Sequence, residues 1–415
     1  MGLVRRLDDI VAPRRLGTPF RWLLGSSWTS NLGDGIALAA GPLLVASQTR
    51  DPLLVALAVL LQQLPWLVFG LYAGALADRL DRKLVVIAVD LARAVVLMVL
   101  AGSIVTGQVS IAIVLGAMFL LGTAETFADT TSQTLLPMVV HRDDLPIANS
   151  RLMAGYIVAN ELAGPPLGAA LFAAGLAWPF VLQAVLVLMG AGLISRMLTT
   201  RPERTSDTHL RSDIAEGFRW LWGHPAIRTL AITIFTFNVT YGAAWSVLVL
   251  YADDRLGLGE VGFGLITTAS ALGGLLGTGI YGWLTSRVSL GNIMRAGLVL
   301  ETFTHLGLAL TRSGAVAMAI FFVFGAHAFI WGTTSTSIRQ RAVPEEFQGR
   351  VGSVSMMALF GGLVLGSGIG GVIARTWGVT APFWFGFIGS AVFVVLIWKQ
   401  LSHIAHDDEA LRSPS

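Results

Sequence analysis

The chain has 415 residues, of which 54% are hydrophobic and only 13% charged, with a formal net charge of +3. A soluble domain carries roughly a quarter charged residues, and a soluble fold of this composition would expose large apolar patches and aggregate. There is no Cys, which excludes disulfides, thiolate zinc sites and cysteine nucleophiles; the 47 Gly suit membrane helices, where Gly is commoner than in soluble ones.

The first residues are basic, with Arg5, Arg6, Arg14, Arg15 and Arg21, and the apolar stretch that follows runs on to Ala46 without a small-residue cleavage site. This predicts an uncleaved first helix rather than a secretory signal. A membrane helix needs about 20 mostly apolar residues. Such segments lie near Trp22–Ala46, Leu53–Leu76, Leu84–Val105, Ile111–Thr134, Met153–Ala174 and Phe180–Met197. After a polar stretch, six more lie near Leu230–Tyr251, Val261–Leu284, Ile293–Leu310, Ala315–Thr336, Val354–Arg375 and Pro382–Trp398. The expected organisation is an N-terminal six-helix bundle over 1–198, a cytoplasmic linker over 199–224, a C-terminal six-helix bundle over 225–401 and a cytoplasmic tail over 402–415. Within the linker, Ile214, Phe218 and Leu221 share one helical face beside Trp222, which predicts an amphipathic helix at the membrane surface.

Charge fixes the orientation, because Lys and Arg collect on the cytoplasmic side. Of 28 such residues, only Arg50, Arg255, Arg312 and Arg375 fall on the outer side, and Arg93 falls within the third span. Both termini are therefore expected in the cytoplasm. A repeat supports two similar halves: adding 208 to Gly74, Leu76 and Arg79 lands on Gly282, Leu284 and Arg287, and Pro137 has a counterpart one residue off in Pro344. Six helices duplicated in parallel can rock about a midplane site.

Three patterns carry chemistry. Between the second and third spans stands Gly74-Ala-Leu-Ala-Asp78-Arg79-Leu-Asp81-Arg82-Lys83. Gly74 permits close helix packing, Asp78 can pair with Arg79, Arg82 or a helix end, and Arg82 and Lys83 hold the loop inside. Such a cluster can latch one conformation; the alternative is a charged loop that only sets topology. The second-half copy has Ser286 in place of the acid. In the fifth span stands Gly164-Pro165-Pro166-Leu167-Gly168. Pro removes a backbone hydrogen bond and bends the helix, and the flanking Gly residues admit a close neighbour; the alternative is an ordinary membrane kink. The Gly361 to Gly371 run of the eleventh span is its counterpart, expected to serve packing.

The third pattern is ionisable side chains within spans: Asp34, Asp90 with Arg93, Glu125 with Asp129, Glu161, Glu301 with His305, and His327. Each intramembrane charge costs at least ~2.5 kcal/mol, so these groups should face protein or a wet cavity. Burial favours the neutral carboxyl and a nearby Arg the ionised one. A carboxyl that alternates between two such settings carries a proton. Asp90 and Arg93 are expected to form a structural pair, Glu301 and His305 a local polar contact, and His327 an interhelical donor. Asp34, Glu161, Glu125 and Asp129 are the candidates for proton coupling, with Asp34 first. Trp66, Trp245 and Trp331 read as interfacial anchors, with one or two of them lining the cavity, and Gln62, Gln63, Asn238 and Thr240 as cavity lining. No phosphate loop, His-Glu-x-x-His or Gly-x-Ser-x-Gly motif is present, so no ATP site, metal or cofactor is expected, and no basic patch suggests nucleic acid.

The loop at Gly74–Lys83 resembles the signature loop of the major facilitator superfamily, with Asp81 where Gly is usual. The fifth-span motif resembles the antiporter motif of its drug exporters, with Asn160 where a further Gly is usual. With Leu32-Gly33-Asp34 and the run Val343–Val351, the chain looks most similar to the bacterial drug and siderophore exporters (the enterobactin-exporter-like branch). The resemblance implies an all-α membrane protein, twelve spans in two pseudo-symmetric halves, in the bacterial cytoplasmic membrane. It also implies export of amphipathic small molecules by alternating access and proton antiport, with protons and membrane lipids as further partners and the monomer as the working form. A proton-coupled importer on the same fold and a non-transporting sensor or scaffold are the alternatives, and no enzyme is expected.

Overall fold

A computed structural model describes residues 14–197 and 210–400; the expectations placed on the Met1–Pro13 arm, the Thr200–Thr208 linker and the tail lie outside them. Each of the twelve expected spans holds a helix. They are α1 (Gly17–Gln48), α2 (Pro52–Arg79), α3 (Arg82–Val105), α4 (Ile111–Gln133), α5 (Leu145–Gly155, Tyr156–Ala163 and Gly164–Ala174 in succession) and α6 (Trp178–Ser195). A linker helix, Leu210–Gly223, precedes α7 (Pro225–Trp245), α8 (Glu260–Thr285), α9 (Leu290–Leu310), α10 (Gly314–Ala342), α11 (Gln348–Trp377) and α12 (Ala381–Ile397). Among the described residues nine helices are both long and apolar enough to cross a membrane, and α7 joins them if it is counted with its continuation Leu248–Arg255, bent by 44°. At 17 residues α12 falls just short in length. The 32 residues of α1 are long enough; Ser26, Ser27, Thr29, Ser30, Asn31 and Asp34 make its middle polar.

Outward faces of these helices are apolar. On α3, Val95 and Val99 are each 63% exposed, and Val395 on α12 is 76% exposed. In water such faces would drive aggregation, whereas lipid solvates them. Short polar side chains start several helices: Asp81 accepts from the Lys83 and Leu84 amides, Ser110 caps α4, Ser289 caps α9 and Ser313 caps α10. Asp81, the departure from the superfamily loop, is thus the N-cap of α3.

The described chain divides into two compact units: Met1–Gln48 with Val68–Asp207, and Thr49–Leu67 with Thr208–Ser415. In this division the first half of α2 packs in the second unit. Its Leu53 and Ala56 lie against Gly371, its Leu60 against Gly368, and Trp66 stacks on Phe360 at 5.2 Å between ring centroids. Pro65 lies inside α2 beside this division and withdraws one backbone donor from it.

In the first unit α1 crosses α5 with backbones in contact: a Cβ at Gly35 would overlap the Asn160 carbonyl, one at Gly164 the Gly35 backbone and one at Gly168 the Ile36 carbonyl. In the second unit α7 crosses α11 in the same way, through Gly242, Gly362, Gly366 and Gly370. First against fifth and seventh against eleventh is the same packing repeated, the duplication that the faint 208-residue repeat predicts. A third such crossing joins α8 to α10 through Gly273, Gly277 and Gly325. Without water to drive helices together, close contact of this kind is what holds a membrane bundle.

The linker helix is seated on the second unit. Gly217 touches the Arg350 backbone, Glu216 pairs with Arg350 at 2.8 Å, and Leu221 is buried with Ile227, Val351 and Val354. Phe218 and Trp222 stack on each other at 5.5 Å and stay about half exposed, the arrangement of an interfacial helix. Trp245 and Trp331 depart from the anchor expectation. Trp245 packs among Phe321, Phe324 and Tyr241, and the Trp331 indole N–H is buried.

Gly325→Ala would drive a methyl into the Ser270 backbone, whereas Gly332→Ala meets nothing within 4 Å. We expect the first to cost about 1–3 kcal/mol by overpacking, and the second to be neutral or to raise the melting temperature of the detergent-purified protein. Equal melting temperatures for the two variants would refute the packing argument.

Candidate functional site

The first unit holds a half-open cavity of about 580 Å³ walled by α1, α3, α4 and α5. Helix α1 contributes Ser26, Ser27, Ser30, Asn31 and Asp34; α3 contributes Asp90 and Arg93; α4 contributes Asp129, Ser132 and Gln133; α5 contributes Asn149, Met153 and Tyr156. The α1 residues recur at helical spacing, so one face of a membrane helix is hydroxyl-, amide- and carboxylate-bearing. A polar face inside hydrocarbon is stable only where it meets protein or water, and this cavity supplies both.

Arg93 organises the wall. Its guanidinium is 3% exposed and donates to Asp34 on α1 and, at 3.4 Å, to Asp90 one turn back on its own helix. Glu125 and Asp129, one turn apart on α4, lie within electrostatic reach of it and of Asp34. One guanidinium therefore faces four carboxyl groups.

The fifth-span motif sets the position of Asp34. Pro165 and Pro166 have no N–H, so the Glu161 and Leu162 carbonyls lose their usual donors. The backbone answers with an eight-residue π-helical stretch, Tyr156–Ala163, in which the Gly164 N–H reaches back to the Ala159 carbonyl. Such wide turns are frequent at functional sites. This replaces the simple kink expected from the prolines. The widened turn brings the Tyr156 hydroxyl onto the Glu161 carboxylate at 2.9 Å and buries Asn160, whose amide donates to the Asn31 carbonyl at 3.4 Å. Gly164 and Gly168 then clamp α1 at Gly35 and Ile36, the two residues after Asp34.

At the end of the unit where α3 begins, Lys83 donates to the Met197 carbonyl at 2.7 Å and Arg82 to the Thr134 carbonyl at 3.4 Å. Both cations close the C-terminal ends of neighbouring helices, α6 and α4, where the macrodipole favours positive charge. Gly74 stands nearest the Thr130 methyl at 3.9 Å, on α4. The side chains of Asp78 and Arg79 lie outside the described residues, and with them that part of the expected latch.

The structure thus brings Asp34, Glu125 and Asp129 together around Arg93 and holds Glu161 on the Tyr156 hydroxyl, off the cavity lining. Gln62, Gln63, Asn238 and Thr240 belong to the second unit and do not line this cavity. Thr240 is 3% exposed, bonds the Phe237 carbonyl and accepts from Ser390, and Asn238 donates to Ile234. Two pairings differ from expectation. Arg93 bridges to α1 as well as to Asp90, and Glu301 pairs with His327 on α10 at 3.5 Å, leaving both His305 ring nitrogens without a partner among the described residues. Helical spacing shows which side chains share a face; it says nothing of which face meets the next helix. The missed Asp34–Arg93 bridge had one available signal, an Arg in mid-span that must find a carboxylate.

Residues 10–414 match the family described as transmembrane secretion effector. The chain belongs to this family of major facilitator transporters. The transporter is 29% identical over 401 residues to the multidrug efflux pump Tap of Mycolicibacterium fortuitum, across 88% of this chain and 91% of Tap. Macrolide efflux protein A of Streptococcus pyogenes is 23% identical over 389 residues, across 85% of this chain and 88% of that protein. A bacterial homologue of the iron transporter ferroportin superposes with a TM-score of 0.73 at 19% identity, over 92% of this chain and 98% of that one. At that identity the likeness speaks for the fold alone. The protein is a multi-pass, nearly all-helical membrane transporter of a small-molecule substrate, with the superfamily fold.

Removing Arg93 leaves Asp34 and Asp90 without their cation. Arg93→Leu is expected to destabilise the purified transporter by about 3–5 kcal/mol, read as a lower melting temperature, and adding Asp90→Asn should restore part of the loss. No recovery in the double variant would separate Asp90 from the cluster.

Proposed function

We propose that the transporter exports amphipathic small molecules across the bacterial cytoplasmic membrane in exchange for protons, by alternating access, with both termini in the cytoplasm. The observation that carries this reading is the excess of carboxyl groups over cations beside the cavity: Asp34, Asp90 and Asp129 on its wall, and Glu125 within electrostatic reach of the same Arg93. Asp34 is the proton carrier in this reading. It is bound to Arg93 while ionised; protonation releases the guanidinium to the remaining carboxylates, and the proton leaves when Asp34 returns to Arg93. Glu125 and Asp129, coupled through the same cation, set how readily this exchange occurs. The clamp of Gly164 and Gly168 on α1 supports a role in holding Asp34 in register and in sealing the cavity against ion leak. The efflux functions named for Tap and for macrolide efflux protein A support export and a drug-like substrate. Gly74, Asp78, Arg79, Arg82 and Lys83 form the cytoplasmic latch in this proposal.

The test is an export assay in everted vesicles with lipophilic cations, macrolides and other antibiotics, and siderophores, with and without a proton uncoupler. Wild-type transport should collapse with the uncoupler, and Asp34→Asn should reduce uncoupler-sensitive export to background while the protein still inserts. Undiminished gradient-driven transport by Asp34→Asn would remove Asp34 from the mechanism. Uncoupler-insensitive export by the wild type would remove the proton.

A further inference from the structure

The second unit holds an ionisable pair that the cavity does not use. Glu301 on α9 and His327 on α10 approach to 3.5 Å between Oε2 and Nε2, with side chains 12% and 5% exposed. The contact is built into the packing. Gly297, one turn before Glu301, makes room for the imidazole: a Cβ there would lie 2.8 Å from His327 Cε1 and 2.8 Å from Trp331 Cδ1. Phe324 stands edge-on to the His327 ring, centroids 6.0 Å apart, and belongs in turn to a cluster with Tyr241 and Trp245 at 5.8 and 5.0 Å.

Among the described residues no further formal charge acts on Glu301 besides His327. On α9 the other titratable residues are Arg295, whose guanidinium lies over Trp398, and His305, which is 1% exposed and packed against Gly386. Helix α10 has only Arg339 and Arg341, both in its last turn, besides His327. Helix α12 has no titratable side chain, α7 has Arg228 and Tyr241, and α8 has Glu260 and Tyr281. In such surroundings a pair of this kind is neutral overall with one proton, whether the proton sits on the carboxyl or on the imidazole. Losing it leaves a lone anion in the membrane, and gaining a second leaves a lone cation.

We propose that Glu301 and His327 form a second proton-binding site, separate from the carboxylates of the first unit, that holds one shared proton and exchanges it with water during the transport cycle. The proton passes from the carboxyl or imidazolium to water and returns by the same route, with no other bond made or broken. This extends the proton-coupled reading above, but its test measures protonation directly and does not depend on transport.

The experiment is pH-difference infrared spectroscopy of the purified full-length protein, comparing wild type, Glu301→Gln, His327→Gln and Asp34→Asn. Glu301→Gln should remove one titrating carboxyl band that Asp34→Asn retains. His327→Gln should keep that band and move its midpoint by about one pH unit or more. A Glu301→Gln spectrum that matches the wild type at every pH overturns the proposal. If that variant does not fold, an unchanged midpoint in His327→Gln overturns it instead. Should export prove insensitive to the uncoupler while these bands still titrate, the coupling reading fails and the site stands.

Discussion

A guanidinium inside hydrocarbon must be met by carboxylates, and much of the first unit follows from that one requirement. Arg93 sits near the middle of α3, is almost wholly buried, and is bound by Asp34 from α1 and Asp90 from its own helix. Those contacts fix the rotation of α1 and α3 about their axes. The Ser and Asn residues of α1 then fall on the cavity side and its apolar residues on the packed side. The two carboxyl groups of α4 are drawn to the same centre. A structural ion pair and a chemically responsive cluster are here the same object, because four carboxyl groups cannot all be satisfied by one cation.

The second constraint is steric. Helix α5 approaches α1 so closely that Gly35, Gly164 and Gly168 have no room for a methyl group. Two consecutive prolines rule out ordinary helical bonding just before that contact, and the π-helical stretch recovers hydrogen bonds at a wider spacing while turning Tyr156 and Glu161 toward each other. Backbone geometry on α5 is thereby coupled to the position of Asp34 through rigid contact rather than through side chains that could rearrange independently.

Duplication has kept the packing and changed the chemistry. The α7–α11 crossing in the second unit repeats the α1–α5 crossing in kind, with glycines on both helices at backbone contact. Yet the second unit has no counterpart of the Arg93 cluster among its described residues; it has a single carboxyl–imidazole pair beside an aromatic cluster. Packing is inherited easily because any small residue serves it. Intramembrane charge is expensive and persists only where something uses it.

Sequence alone determined the solvent, the all-helical class and the order of the helices, because hydrocarbon imposes span length and charge placement locally, residue by residue. It also marked Asp34, Glu125, Asp129 and Glu161 as costly, and the Gly164–Gly168 run as a close contact. What only the tertiary structure decided was partnership. That Arg93 reaches across to Asp34, that Glu301 turns to His327 rather than to His305, that Thr240 is spent on Ser390 and that the first half of α2 packs with the second unit all depend on the rotation of whole helices. That rotation is set by the sum of contacts along each interface, which no local spacing rule contains.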